Sequence, residues 1–216
     1  MQCSTCKREA IIFQPYSGRH LCRDHLILDL EAKAKRTIRV HHWLHPGDHL
    51  GVALTGDSAG NALLFFLRKL TGNRKDIRVS AITPEEGTNN CDTIHDPGIT
   101  KIAAATTLED AAASALTRIL RGDTGIRPGD GSFSLDNLPR ITPFSHIPSG
   151  EIAAYARLCG VESGAGSQEV ENDLLFIDVR NMLADYSSRH PATPHAVLNL
   201  WESLTGPGNI EHKGGC

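Results

Sequence analysis

Apolar positions recur along this chain in two rhythms, and the rhythm decides the element. Ile27, Leu30, Ala34, Ile38 and Trp43 follow one another at roughly helical intervals, which predicts a helix from about Asp24 to Leu44 that Pro46-Gly47 ends. His49-Leu50-Gly51-Val52-Ala53-Leu54 is a short apolar run that reads as a buried strand, Thr55 to Gly60 as a turn, and Asn61 to Leu70 as an apolar helix. Further strands are predicted near Ile77–Ile82, Lys101–Ala105 and Ile141–Phe144, and helices near Leu108–Leu120, Ser149–Leu158, Leu174–Ser188 and Pro194–Leu204. Strands alternating with helices imply an α/β fold: a Rossmann-like parallel sheet with helices on both faces and a ligand crevice at its carboxyl edge. The polar, Gly/Pro-rich stretches Pro84–Thr100 and Arg121–Asn137 read as surface connections.

The first residues follow neither rhythm. They carry Cys3-x2-Cys6 and Cys22-x2-His25, separated by a segment from Ile11 to Gln14, a Tyr16-Ser17-Gly18 turn and His20-Leu21 that looks like a short hairpin. Zinc prefers thiolate and imidazole in a tetrahedron, and two close pairs let each knuckle supply two ligands. A module this small buries no core, so the metal supplies its folding energy, and four protein ligands close the site and make it structural. The expected organisation is a zinc-binding module over 1–26, a basic linker helix over 27–47, an α/β domain over 48–206 and a flexible tail over 207–216.

Composition narrows the setting. Six cysteines, three of them in this pattern with a histidine, read as reduced metal ligands in a cytoplasmic protein rather than as a disulfide framework. The longest apolar stretch, Ala62 to Leu67, is far too short to cross a bilayer, so no membrane role is expected. A net charge of −3 argues against nucleic-acid binding through bulk charge. A local face remains: Lys33, Lys35, Arg36 and Arg39, followed by His41 and His42, make the first helix the most basic part of the chain. It reads either as a stripe against a phosphate backbone or as an ordinary solvated face.

The turn after the first strand admits more than one chemistry. A strand, a glycine-bearing turn and a helix start form an anion site, because free backbone N–H groups converge there. A P-loop is excluded, since its lysine and hydroxyl are absent. Gly56-Asp57-Ser58-Ala59-Gly60 has the Gly-x-Ser-x-Gly form of a nucleophile elbow and resembles the hormone-sensitive-lipase branch of esterases. On that reading Ser58 is the nucleophile, with His146, His190 or His195 and Asp136, Asp178 or Asp185 as candidate partners. His45-Pro46-Gly47 lacks that branch's paired glycines.

A longer resemblance covers nearly the whole chain in collinear order. The Cys-x2-Cys pair, the Leu21-Cys22-Arg23-Asp24-His25 knuckle, the basic helix ending in Arg36-Thr37-Ile38-Arg39, and Pro46-Gly47-Asp48 carry its first part. Lys101 to Ala112, Ile141-Thr142-Pro143-Phe144, Gly150 to Ala156, and Met182-Leu183 through Pro191 to Leu204 carry the rest. Together these resemble the tRNA 2-thiouridine synthetase family of PP-loop, or N-type ATP pyrophosphatase, proteins. The resemblance implies a PP-loop ATPase type of fold, an ATP–magnesium site at Thr55, Gly56, Asp57, Ser58, Gly60, Glu109 and Asp110, and tRNA as substrate.

The chain departs from the family pattern where the chemistry sits. Thr55-Gly56-Asp57-Ser58-Ala59-Gly60 stands where the family has Ser-Gly-Gly-x-Asp-Ser, and Asp57 places a negative charge beside the phosphates. Ala105-Thr106-Thr107 replaces Gly-His-Asn, with Glu109-Asp110 retained. Between Ile82 and Lys101 only Cys91 remains of the family's sulfur-handling cysteines, Glu162 to Gly166 contains none, and Cys159 lies earlier. An iron–sulfur cluster is therefore not expected. These departures predict a degenerate, shortened member: a pseudoenzyme serving as tRNA-binding subunit or as partner of an active synthetase homologue, or a self-dimer. The alternatives are an active ATP-dependent tRNA-modifying enzyme with a rewired loop, and the serine esterase.

Overall fold

A computed structural model describes residues 1–82, 98–123, 138–161 and 173–205. Cys91, Asp136, Glu162–Gly166, most of both Gly/Pro-rich connections and the 207–216 tail lie outside the described residues. In chain order the elements are β1 (Ile12–Gln14), β2 (Arg19–Leu21), α1 (Arg23–Val40), β3 (His49–Ala53), α2 (Ser58–Thr71), β4 (Arg78–Ile82), β5 (Lys101–Ala103), α3 (Leu108–Leu120), β6 (Arg140–Ile141), α4 (Ser149–Cys159), α5 (Leu174–Arg189) and α6 (Thr193–Thr205).

β1 and β2 form an antiparallel hairpin with Ile12 opposite Leu21 and Gln14 opposite Arg19. β3 to β6 build a parallel sheet in the order β4-β3-β5-β6. Leu50 lies opposite Val79 on one side and Lys101 on the other, and Ile102 lies opposite Arg140. From β3 the chain crosses through α2 to β4, whereas from β5 it crosses through α3 to β6 in the opposite direction. Right-handed crossovers then put α2 and α3 on opposite faces. The packing agrees: α4 lies against α1 and α2, while α5 and α6 lie against α3.

The main core joins Leu30, Ala34 and Ile38 of α1, Leu50 and Val52 of β3, Leu63, Phe66 and Leu67 of α2, and Tyr155 of α4. Each fully buried side chain of this size stabilises the fold by about 1.5–3 kcal/mol relative to exposure. Gly51 sits at the sheet centre because a Cβ there would collide with the Ile82 side chain. Ala112 and Ala113 of α3 pack on Val179 and Leu183 of α5, and these small residues bring the two helices close together. Leu21, Leu26 and Ala154 tie the N-terminal hairpin to α1 and α4.

Three boundaries differ from expectation for identifiable reasons. α1 stops at Val40 rather than Leu44, because His42 adopts φ 51° and the Trp43 N–H turns back onto the Ile38 carbonyl at 3.2 Å. α2 begins three residues earlier than predicted, because Asp57 caps it, with Oδ1 accepting the Gly60 N–H at 2.8 Å. β6 ends at Ile141 instead of Phe144, where the chain enters a turn closed by the Ser145 N–H on the Thr142 carbonyl; Pro143, lacking an N–H, offers no donor to prolong the ladder.

Candidate functional site

Two sites stand apart in the molecule. The first is built on the hairpin. Cys22 occupies the N-cap position of α1 and His25 its first turn, while Cys3 and Cys6 lie on the knuckle before β1. The Ser4 N–H donates to the His20 carbonyl and the Ile11 N–H to the Leu21 carbonyl, which holds the knuckle over the helix start. One ligand atom from each of Cys3, Cys6, Cys22 and His25 lies within 4.8 Å of the other three. Cys6 Sγ is 3.7 Å from Cys22 Sγ, and His25 Nδ1 is 3.4 Å from Cys3 Sγ and 3.3 Å from Cys22 Sγ. A tetrahedral ion with thiolate bonds of about 2.3 Å and imidazole bonds of about 2.0–2.1 Å has edges of about 3.5–3.8 Å, so the donor set fits a metal. Burial pushes the Cys3 thiol up, but the backbone amides of Thr5, Cys22 and Cys6 and the Cys22 thiol outweigh it and bring Cys3 down to about 5. Such a group is thiolate at neutral pH, the form that binds metal.

The second site lies where the strand order reverses, between the carboxyl ends of β3 and β5, the position at which open α/β sheets bind ligands. A cleft of about 480 Å³ opens there, and its wall includes Asp57 and Ser58 from the start of α2, Glu109 and Asp110 from the start of α3, and Ser149 from the start of α4. Four of the residues singled out in the sequence thus share one cleft although about fifty positions separate the two pairs. Thr55 and Gly56 lie in the turn just before it, with Gly56 at φ 78°, and Gly60 is buried inside α2.

Each of the three helix starts is capped by one of the chain's own oxygens. Asp57 takes the Gly60 N–H, Thr107 Oγ1 takes the Asp110 N–H at 3.3 Å, and Glu109 Oε2 takes the Ser149 N–H at 3.0 Å. Thr107 Oγ1 also donates to Asp110 Oδ2 at 2.8 Å. The sequence reasoning missed the far wall, which α5 supplies through Arg180, Leu183, Ala184 and Ser187. Their i, i+3, i+4, i+7 spacing was visible as a helical face, but nothing local marked that face as turned toward the α2 turn.

The basic stripe of α1 is divided. Lys33 Nζ pairs with Asp29 at 2.7 Å and with buried Glu151 at 3.1 Å, and Lys35 pairs with Glu31 at 3.4 Å. Burial pushes Glu31 up, yet Lys69 and Lys35 outweigh it and hold the carboxyl below its ordinary range. Arg36 and Arg39 are exposed, and Arg39 bonds back to the Lys35 carbonyl.

The geometry does not support a nucleophile elbow. That motif holds its serine on a strained strand-to-helix turn, whereas among the described residues His42 alone combines a side chain with positive φ, and Ser58 is the first residue of α2. No histidine lines the cleft among the described residues: His146 bonds Glu202 at 2.8 Å, His190 stacks on Tyr186, and His195 packs on Tyr16.

Sheet order, crevice and N-terminal cluster define an α/β protein of the PP-loop ATPase fold that carries a metal-binding module. Residues 2–27 match the family described as the N-terminal LIM domain of the 2-thiouridine synthetase TtuA. Over 99% of this chain and 90% of the relative, the sequence is 22% identical to the tRNA 2-thiolation protein NcsA of Haloferax volcanii. The solved structure of the U34-tRNA thiolase NcsA from Methanococcus maripaludis with its 4Fe–4S cluster matches with a TM-score of 0.76 at 15% identity, covering 95% of this chain and 87% of that one. The chain is thus similar over nearly its whole length to a tRNA 2-thiolation protein, and the resemblance read in the sequence is borne out.

One expectation is overturned. Iron–sulfur chemistry was set aside because cysteines are few in the middle of the chain, but the thiolase that shares this fold carries a 4Fe–4S cluster. Cys3, Cys6 and Cys22 are thiolate ligands of the kind that iron also takes. A scarcity of cysteines in the middle of the chain is too weak a ground for exclusion. Among the described residues no helix is long and apolar enough to cross a membrane.

Proposed function

We propose that this chain acts in ATP-dependent 2-thiolation of tRNA, and that the cleft at the β3/β5 switch point is its nucleotide site. The observation that carries this reading is the convergence of Asp57, Ser58, Glu109 and Asp110 on one cleft at the ligand-binding edge of the sheet. In an adenylating reaction the uridine oxygen attacks the α-phosphorus, a P–O bond to that oxygen forms, and the bond to the pyrophosphate oxygen breaks. Pyrophosphate leaves as an anion, and the nucleotide's magnesium neutralises it. The carboxylates suit that cation. Asp57 commits Oδ1 to the Gly60 amide, and its second oxygen can serve a metal that bridges to the phosphates. Without such a bridge, carboxylate and phosphate about 4 Å apart repel by roughly 4 kcal/mol at an effective dielectric near 20.

On this reading the N-terminal cluster is a metal site that stiffens the module, residues 1–26 and 48–206 are the two working units, and the 27–47 helix joins them. Arg36 and Arg39 are the cations left on the outer face of α1 to meet a phosphate backbone, since Lys33 and Lys35 are engaged by carboxylates.

A second reading rests on the self-capped helix starts. If the chain's own oxygens stand where a ligand's would, the chain is a pseudoenzyme that works as a tRNA-binding or partner subunit. Calorimetry with ATP separates the two. The first reading expects magnesium-dependent binding to the wild type, abolished by chelating the magnesium and weakened by Asp57→Gly. No binding to the wild type, with binding restored in Asp57→Gly, would establish the second.

A further inference from the structure

The cleft sets three carboxylates, Asp57, Glu109 and Asp110, against a single cation among the described residues that line it, Arg180. Arg180 projects from the α5 face formed with Leu183, Ala184 and Ser187. Its helix is fixed against α3 by Val179 and Leu183, both buried on Ala112 and Ala113, so the backbone that carries it is firmly placed. Its guanidinium Nη2 lies 3.3 Å from Asp110 Oδ1, with Arg180's side chain 57% and Asp110's 32% exposed. An ion pair this exposed is weak and readily exchanged for a better partner. Two turns of helix further along, Ser187 lines the same cleft, and its buried hydroxyl has no hydrogen-bond partner among the described residues. A buried hydroxyl without a partner is uncommon and points to a group that belongs there.

We propose that Arg180 is the phosphate-binding cation of this cleft. Asp110 holds it in the ligand-free protein and releases it when a magnesium-bound phosphate chain enters, with Ser187 donating a hydrogen bond alongside. The proposal rests on the nucleotide reading of the cleft. In the loaded cleft Asp110 turns from Arg180 to the incoming cation, and the guanidinium passes to a phosphate oxygen, so each charge keeps a partner. The guanidinium fork suits this transfer, since it meets two phosphate oxygens at once and stays charged throughout the working pH range. The cation therefore comes from the far wall, opposite a turn that carries no lysine and sets Asp57 in the cleft.

The test is titration of magnesium–ATP into the wild type, Arg180→Ala, Arg180→Gln and Arg180→Lys, each checked for an unchanged thermal midpoint. Losing a charge-assisted contact weakens binding about tenfold to a hundredfold, so both neutral variants should fall by that factor and Arg180→Lys should recover part of it. Ser187→Ala should show a smaller loss. Wild-type binding with undiminished affinity in Arg180→Ala and Arg180→Gln would overturn the role of Arg180 and leave the nucleotide reading standing. No binding by the wild type would instead overturn the nucleotide reading, and the proposal with it.

Discussion

His42 closes α1 in the left-handed region at φ 51°, a conformation that glycine adopts without penalty and a β-carbon resists. The pattern around it is a Schellman close: the Trp43 N–H reaches the Ile38 carbonyl and the His42 N–H the Arg39 carbonyl. α3 and α4 end in the same way with Gly122 at φ 71° and Gly160 at φ 68°. Those two ends were legible because glycine announces them. The end of α1 was not, because a histidine fills the glycine position and the periodic apolar signal runs on to Trp43, which packs against the core from beyond the helix. His42 is exposed, so little packing opposes its replacement. His42→Gly should therefore raise stability by about 1 kcal/mol, read as a higher denaturant midpoint with unchanged slope. A lower midpoint would mean that the imidazole makes a contact worth more than the strain.

At the scale of elements, the core strands and helices could be read from apolar rhythm because burial selects the residues directly: β3 is buried from His49 to Val52, and α3 was placed at its observed limits, Leu108 to Leu120. The start of α2 was misplaced because Asp57 was read as chemistry alone, when it is also a helix cap. The hairpin is the opposite case. β1 and β2 have three residues each, and the module's apolar cluster is small: Leu21 and Leu26 on Ala154, with Ile12 and Leu158 half-buried against them. Such an element depends on its metal. Stripping the metal with a chelator should raise the hydrogen-exchange rate of the Ile11 and Ser4 amides, whose bonds hold the knuckle, and leave the Ile102 and Ala104 amides of the parallel sheet protected. Equal loss in both would show that the module and the domain unfold as one unit. Elemental analysis and the visible spectrum of the untreated protein then identify the metal, since a single closed-shell ion is colourless and an iron–sulfur cluster is not.

Across the whole molecule, residues far apart in sequence meet along a seam that no local pattern announces. Tyr16 from the module's turn donates to Glu151 Oε1 on α4 at 2.6 Å, accepts from Lys33 Nζ on α1 at 2.6 Å, and packs its ring 4.6 Å from that of His195 on α6. The cleft shares this character: its α2 and α3 walls were readable because strand-to-helix turns carry their own signature, whereas α5 reaches the cleft only through tertiary packing on α3. The seam has a consequence for pH. His195 Nε2 is buried without a partner among the described residues, and burial, followed by the charges of Lys33 and His146, brings the imidazole down to about 4. In the unfolded chain a histidine titrates near about 6.5. Between those values the unfolded state holds the extra proton, so the stabilisation is present above about pH 6.5 and is lost as pH falls through the folded value near 4. Denaturant midpoints measured from pH 7 down to 4 should therefore decline in the wild type, with the decline shallower in His195→Phe, which keeps a ring against Tyr16 and removes the titrating group. The Lys33–Glu151 pair is common to both proteins, so it does not produce the difference. Parallel declines in the two proteins would show that the proton is taken up elsewhere, with His146, bonded to Glu202, as the next group to replace.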